Sequence, residues 1–185
     1  MRALPRLVWT AGLLLGALSV SAAPEWLGAP EPPLLAGVTG AAEIFDSHQS
    51  LFWGVEYRPA FRCCRLSPWL FFGSGKQNEF YAAVGVLLNI RLGDRWALTP
   101  SFGGGYYRAA SGLDLGFDTE FRSGIELAWR HPRGFRIGLA FAHLSNGSLS
   151  DFNPGTETLG LTCAVPLDFW RRRPATDSPA PYRGR

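Results

Sequence analysis

Between Asp118 and Arg130 the chain alternates with a period of two. Phe121, Ile125, Leu127 and Trp129 fall on one parity, and Glu120, Arg122, Glu126 and Arg130 on the other. Successive side chains of a strand point to opposite faces, so this segment predicts a β-strand with one oily and one charged face. Segments of about ten residues with similar alternation recur along the chain, separated by Gly, Pro, Asn and Asp, and no helical apolar stripe of useful length interrupts them. The strands predicted are 38–46, 51–58, 69–73, 80–91, 95–106, 118–130, 134–145 and 156–167, eight in all.

Alternation alone fits a water-soluble β-sandwich, which hides its oily faces between two sheets. Three features favour a membrane barrel. Several segments reach the roughly 9–11 residues that a tilted strand needs to cross a bilayer. Trp53, Tyr57, Trp96, Tyr106, Trp129, Phe169 and Trp170 fall near strand ends, where interfacial girdles sit. The polar parity mixes glycines with charges, as in Gly85, Asn89 and Arg91, or Arg136 and Gly138, which is how small barrels fill their interiors. A closed sheet also pairs every backbone group in hydrocarbon. The fold expected is therefore all-β, an eight-stranded antiparallel transmembrane β-barrel over residues 38–170.

The ends of the chain read differently. Arg2 and Arg6 precede an apolar run of 14 residues, 7–20, followed by Ser21, Ala22 and Ala23. The run is too short to span a membrane as a helix and has the order of a secretory signal peptide, assigned to 1–23. Residues 24–37 form a Pro-rich segment, and 171–185, opening on Arg171, Arg172 and Arg173, a basic tail. Without Arg2 and Arg6, 16 of the 18 basic residues remain against 15 acidic ones, a balance that points away from a nucleic-acid partner. Cys63, Cys64 and Cys163 are an odd number and make no disulfide framework; they are expected to be unpaired or to form one long-range bond to Cys163. His48, His131 and His143 are scattered and no CxxC occurs, so no metal site is expected. His48 and His131 fall in predicted turns and read as solvated. Gly73-Ser74-Gly75-Lys76 lacks the first glycine and the final Ser/Thr of a phosphate loop. The glycines 103–105 read as a strand bend or a close packing contact.

The chemistry lies in the last two strands. In 134–145 the oily parity runs Phe135, Ile137, Leu139 and Phe141 and continues as His143 and Ser145. In 156–167 it begins with Glu157 and continues as Leu159, Leu161, Cys163, Val165 and Leu167. A His, a Ser and a Glu thus occupy positions where lipid-facing apolar side chains belong, at a cost that is smaller near the interface but needs an offsetting use. Residues i and i+2 lie side by side, so the imidazole can reach the serine, and the antiparallel return brings Glu157 towards the other ring nitrogen. This pattern suits an activated nucleophile, with Ser145 attacking an ester, His143 as general base then acid, and Glu157 orienting the imidazole. With both termini periplasmic, the seventh strand ends at the cell exterior, where an outward-facing esterase meets lipopolysaccharide.

His143-Leu144-Ser145-Asn146, followed by Asn153-Pro154-Gly155-Thr156-Glu157, resembles the signature of the PagL-type lipid A 3-O-deacylases. The resemblance covers about residues 134–167. It implies an eight-stranded outer-membrane barrel that removes the 3-position hydroxyacyl chain of lipid A without a cofactor, with His143, Ser145 and Glu157 as its triad. It associates Asn146 with the oxyanion hole, provided that the strand breaks after Ser145, and leaves Asn153 a supporting role; Gly155 reads as a loop-building residue with positive φ. The partners expected are lipid A or lipopolysaccharide and outer-membrane lipid, with a homodimer left open. The competing readings are a noncatalytic structural or adhesion barrel and an esterase acting on phospholipid.

Overall fold

The computed structural model describes residues 27–43 and 50–168. Its strands are β1 (Leu34–Ala42), β2 (Ser50–Arg58), β3 (Leu66–Gly75), β4 (Phe80–Leu88), β5 (Ile90–Leu92), β6 (Trp96–Arg108), β7 (Thr119–Arg130), β8 (Arg136–Ser145) and β9 (Thr156–Pro166). Each pairs antiparallel with its neighbour in the order β4-β3-β2-β1-β9-β8-β7-β6-β5, and β4 also pairs with β6, closing the sheet. Because β5 prolongs β4, the closed barrel has eight staves.

The break between β4 and β5 follows from Pro100. The ladder to β6 stops at Leu87↔Ser101 and resumes in the same register at Ile90↔Leu98. Pro100 lies in the gap and has no N–H to donate. The carbonyl of Asn89 instead accepts the N–H groups of Gly28 (2.8 Å) and Ala29 (3.2 Å). The segment before β1 is thereby tied across one end of the barrel.

Besides the split of 80–91 into β4 and β5, the earlier end of β1 and shifts of one or two residues at other ends, two strands begin well before their predicted starts. β1 begins at Leu34 rather than at 38, because Leu34, Ala36 and Val38 bury their side chains in strand alternation just past Pro33, whose carbonyl accepts the Leu167 N–H. The Pro-rich composition hid these first residues. β3 spans Leu66–Gly75 rather than 69–73, since Pro68 lies beyond the last β2 partner pair, Tyr57↔Leu70, and so interrupts no β2 ladder. The predicted signal peptide, His48, the aromatics Phe169 and Trp170, and the basic tail lie outside the described residues.

The barrel is inverted relative to a soluble protein. Trp53, Val84, Phe102, Ile137, Leu139 and Leu161 point outward and are roughly half exposed, whereas Glu56, Arg58, Glu126 and Arg136 are buried inside. In the lumen Arg58 bonds Glu56 (2.6 Å) and Glu126 (2.7 Å), and Thr162 Oγ1 donates to Glu126 Oε1 (2.5 Å). Glu31, from the segment before β1, reaches Arg136 at 2.7 Å and Arg130 at 3.3 Å. Higher up, Trp69, Phe71, Tyr81, Tyr107, Leu115 and Leu144 form an apolar cluster. Trp69 fits because Gly85 and Gly103 have no side chains: a Cβ at Gly103 would lie 2.6 Å from Trp69 Cζ2. No helix among the described residues is long and apolar enough to cross a membrane. The two longest connections, 109–118 and 146–155, lie at one end, opposite both termini of the barrel.

Candidate active site

β8 and β9 place His143 directly opposite Glu157 in the ladder, with Leu144 opposite Thr156. The alternation that buries Ala142 and Leu144 turns His143 outward, and Glu157 faces outward beside it. Their side chains meet there, His143 Nδ1 to Glu157 Oε1 at 3.0 Å, with 45% and 33% of the side chains exposed. Both groups therefore lie on the wall while keeping access to solvent or lipid. Nδ1 is occupied by the carboxylate, so Nε2 is the ring nitrogen left for proton transfer.

Ser145 is two residues beyond His143 on the same parity and is the last residue of β8. Its ladder partner is Phe121, whose ring stacks on Phe102 at 6.2 Å and 6°. No hydrogen bond joins Ser145 Oγ to the imidazole in this structure. The strand delivers both groups to one face.

The turn after the nucleophile is built by Asn146. Its side chain is fully buried, and Nδ2 donates to the carbonyls of Leu115 (3.1 Å) and Phe152 (2.9 Å). Its backbone N–H donates to Asn153 Oδ1 at 3.1 Å, and its Oδ1 accepts the Ser148 N–H at 3.0 Å. The strand does break after Ser145, and the Asn146 carboxamide turns inward with its donors bonded within the two connections. Asn146 and Asn153 together hold the 146–155 connection in shape.

One contact escaped the sequence reading. Gly155, in the left-handed region at φ +67°, lies against the imidazole: a Cβ there would stand 3.0 Å from His143 Cε1 and 3.6 Å from Nε2. A glycine two residues before the glutamate was the only signal. His131 belongs elsewhere, in the turn after β7, stacked on Phe135 at 4.1 Å. Cys63, Cys64 and Cys163 are free and exposed, with the first two sulfurs 3.5 Å apart. Among the described residues no group of three or more His, Cys, Asp or Glu is placed to hold a metal.

An eight-stave antiparallel barrel that is oily outside and charged within defines a protein of the outer-membrane class. The family model for lipid A 3-O-deacylase (PagL) matches residues 47–166, and the chain belongs to that family. Its fold is similar to that in the crystal structure of the outer membrane enzyme PagL, with a TM-score of 0.56 at 18% identity over 72% of this chain and 99% of that one. It also resembles the Yersinia pestis outer membrane protein Ail in a phospholipid nanodisc (TM-score 0.45, 16% identity, 73% and 100% covered). De novo designed transmembrane β-barrels give a TM-score of 0.45 at 12% identity, covering 73% of this chain and 98% of theirs. No curated protein matches the chain. The protein is thus an outer-membrane barrel of a lipid A deacylase family.

Proposed function

We propose that the protein is a serine esterase that hydrolyses the ester-linked 3-position hydroxyacyl chain of lipid A from the outer leaflet, using Ser145, His143 and Glu157. The observation that carries this reading is the 3.0 Å His143–Glu157 contact on the outer wall, with Ser145 two residues on. Two ionisable side chains facing lipid are unfavourable unless they are used. Glu157 fixes the imidazole with Nε2 free and stabilises the cation it becomes. His143 takes the proton of Ser145 as Oγ attacks the acyl carbonyl. Collapse of the tetrahedral adduct breaks the bond to the sugar 3-oxygen, which His143 protonates. A water, deprotonated in turn by His143, then hydrolyses the acyl-serine, releasing the 3-hydroxy acid and restoring the enzyme. The reading needs no metal or organic cofactor.

The barrel's architecture supports the placement. With an even number of staves both termini lie at one end, and the triad lies towards the other, where the longer connections are. Periplasmic termini put that end in the outer leaflet, at the level of the lipid A esters.

The test is mass spectrometry of lipid A from cells expressing the wild-type protein or Ser145→Ala. Loss of one 3-hydroxyacyl mass only with the intact serine supports the reading. Unchanged lipid A with both proteins folded in the outer membrane points to a noncatalytic barrel. A fatty acid released from phospholipid instead points to the phospholipid esterase.

A further inference from the structure

Three large apolar side chains stand on the connections beside the triad rather than on the barrel wall: Phe117, Leu149 and Phe152, with exposures of 45%, 55% and 57%. Exposed apolar groups on the strands are explained by lipid, but loops at the end of a barrel have water available, and such a cluster there needs a partner. The two connections are joined. Asn146 bridges Leu115 and Phe152, and Gly116 packs so closely that a Cβ on it would lie 2.9 Å from Phe152 Cδ1. Gly147, in the turn that leads to Leu149, lies over the ring of Phe121, with a Cβ position 3.1 Å from Cδ2 and Cε2. The crest is therefore rigidly built and continuous with the lipid-facing aromatics Phe121 and Phe102 below it.

We infer that this crest is a membrane-docking surface whose occupant is the hydrocarbon of the outer leaflet, with the side chains of Phe117, Leu149 and Phe152 reaching the top of the acyl layer while the rest of the 109–118 and 146–155 connections stays at the interface. Continuity with the wall argues for lipid over a protein partner. Asp114, Asp118 and Asp151, exposed on the same connections, hold the crest at the interface and keep it from going deeper. The consequence is positional. An ester next to the sugar lies at the boundary between headgroup and acyl chains, and a crest anchored at that boundary beside Ser145 holds the nucleophile at that depth. The role in turnover rests on the triad proposed above; the depth itself does not.

The experiment has two arms, on full-length protein folded into phosphatidylcholine/phosphatidylglycerol vesicles. In the first, Cys63, Cys64 and Cys163 are changed to serine, and a nitroxide is attached at Leu149→Cys or Phe152→Cys, with Asp114→Cys as reference. The crest labels are expected to collide with oxygen more than with a water-soluble nickel chelate, and the reference label the reverse. Chelate access at positions 149 and 152 equal to that at 114 overturns the proposal. In the second arm, Leu149→Ser/Phe152→Ser should lower turnover of vesicle-embedded lipid A by roughly ten-fold or more, given the apolar area withdrawn from lipid. Hydrolysis of a short-chain, water-soluble nitrophenyl ester should stay within about two-fold, since the reacting groups are untouched. An equal fall on both substrates, or no fall on either, overturns the role in turnover. If wild-type protein hydrolyses neither substrate, the triad reading fails and the label collisions still decide the docking surface.

Discussion

Gly155 lies against the imidazole of His143. A Cβ at this position would stand 3.0 Å from His143 Cε1 and 3.2 Å from the Leu144 carbonyl oxygen, and the backbone is left-handed at φ +67°. The two demands are independent. One concerns the backbone of the connection into β9, and the other the position of the ring that the proposed mechanism uses.

Gly155→Ala should therefore leave a folded barrel that is weakened by about 1–2 kcal/mol from the left-handed φ and slowed by about ten- to hundred-fold through ring displacement. Gly155→Asn separates the causes, because asparagine tolerates this φ but still carries a Cβ. Its stability should recover while its turnover of a soluble ester stays low. An asparagine variant with wild-type turnover would show that only the backbone matters.

The His143–Glu157 pair makes a second prediction. Glu157→Gln keeps an oxygen within reach of Nδ1 but removes the charge that stabilises the imidazolium, while Glu157→Ala removes both. Turnover should fall by about two to four orders of magnitude in each, with Gln the milder. Barrel stability, read from the unfolding midpoint in urea, should not fall, since an exposed pair contributes little. A large stability loss with turnover intact would make the pair structural.

Asn146 tests whether a buried support has been mistaken for a catalytic donor. Asn146→Ala leaves the carbonyls of Leu115 and Phe152 without their donor, at a cost of about 1–3 kcal/mol. Stability and turnover should fall together, and Asn153→Ala, which frees the Asn146 N–H, should give a smaller version of the same phenotype. A variant with unaltered stability and a kcat lowered at constant KM would restore Asn146 as an oxyanion donor.

How far the sequence reaches can be traced through these residues. The alternation in 118–130 and 134–145 is strict enough that parity places Glu126 in the lumen and His143 on the wall, because a one-residue slip would reverse every side chain at once. The His–Glu meeting was legible for the same reason, given the turn length. Leu34 was not, because its alternation is masked by the prolines before it. The inward turn of Asn146 was also hidden: parity ends with the strand, and the carbonyls that capture the carboxamide come from Leu115, thirty-one residues away, and from Phe152 in the same loop. Nor could the sequence show that Gly155 touches an imidazole, since a glycine records only that a side chain is missing.

The lumen provides the last prediction. Arg58 lies between Glu56 and Glu126, at 2.6 and 2.7 Å, and all three are buried. Arg58→Met alone leaves two carboxylates without their counterion and should destabilise the barrel by about 3–5 kcal/mol, the usual consequence of orphaning a buried charge. Adding Glu56→Gln and Glu126→Gln removes the uncompensated charges, and the carboxamide introduced at position 126 can still accept the Thr162 hydroxyl, so most of that loss should be recovered. The measurement is the urea midpoint of the folded band on an unheated gel, with soluble-ester turnover alongside. Because the hydrogen bonds of this network run within the lumen and not to the outer wall, turnover per folded molecule should be the same in all these variants. If the triple variant is no more stable than Arg58→Met, the arginine matters for its packing rather than for its charge.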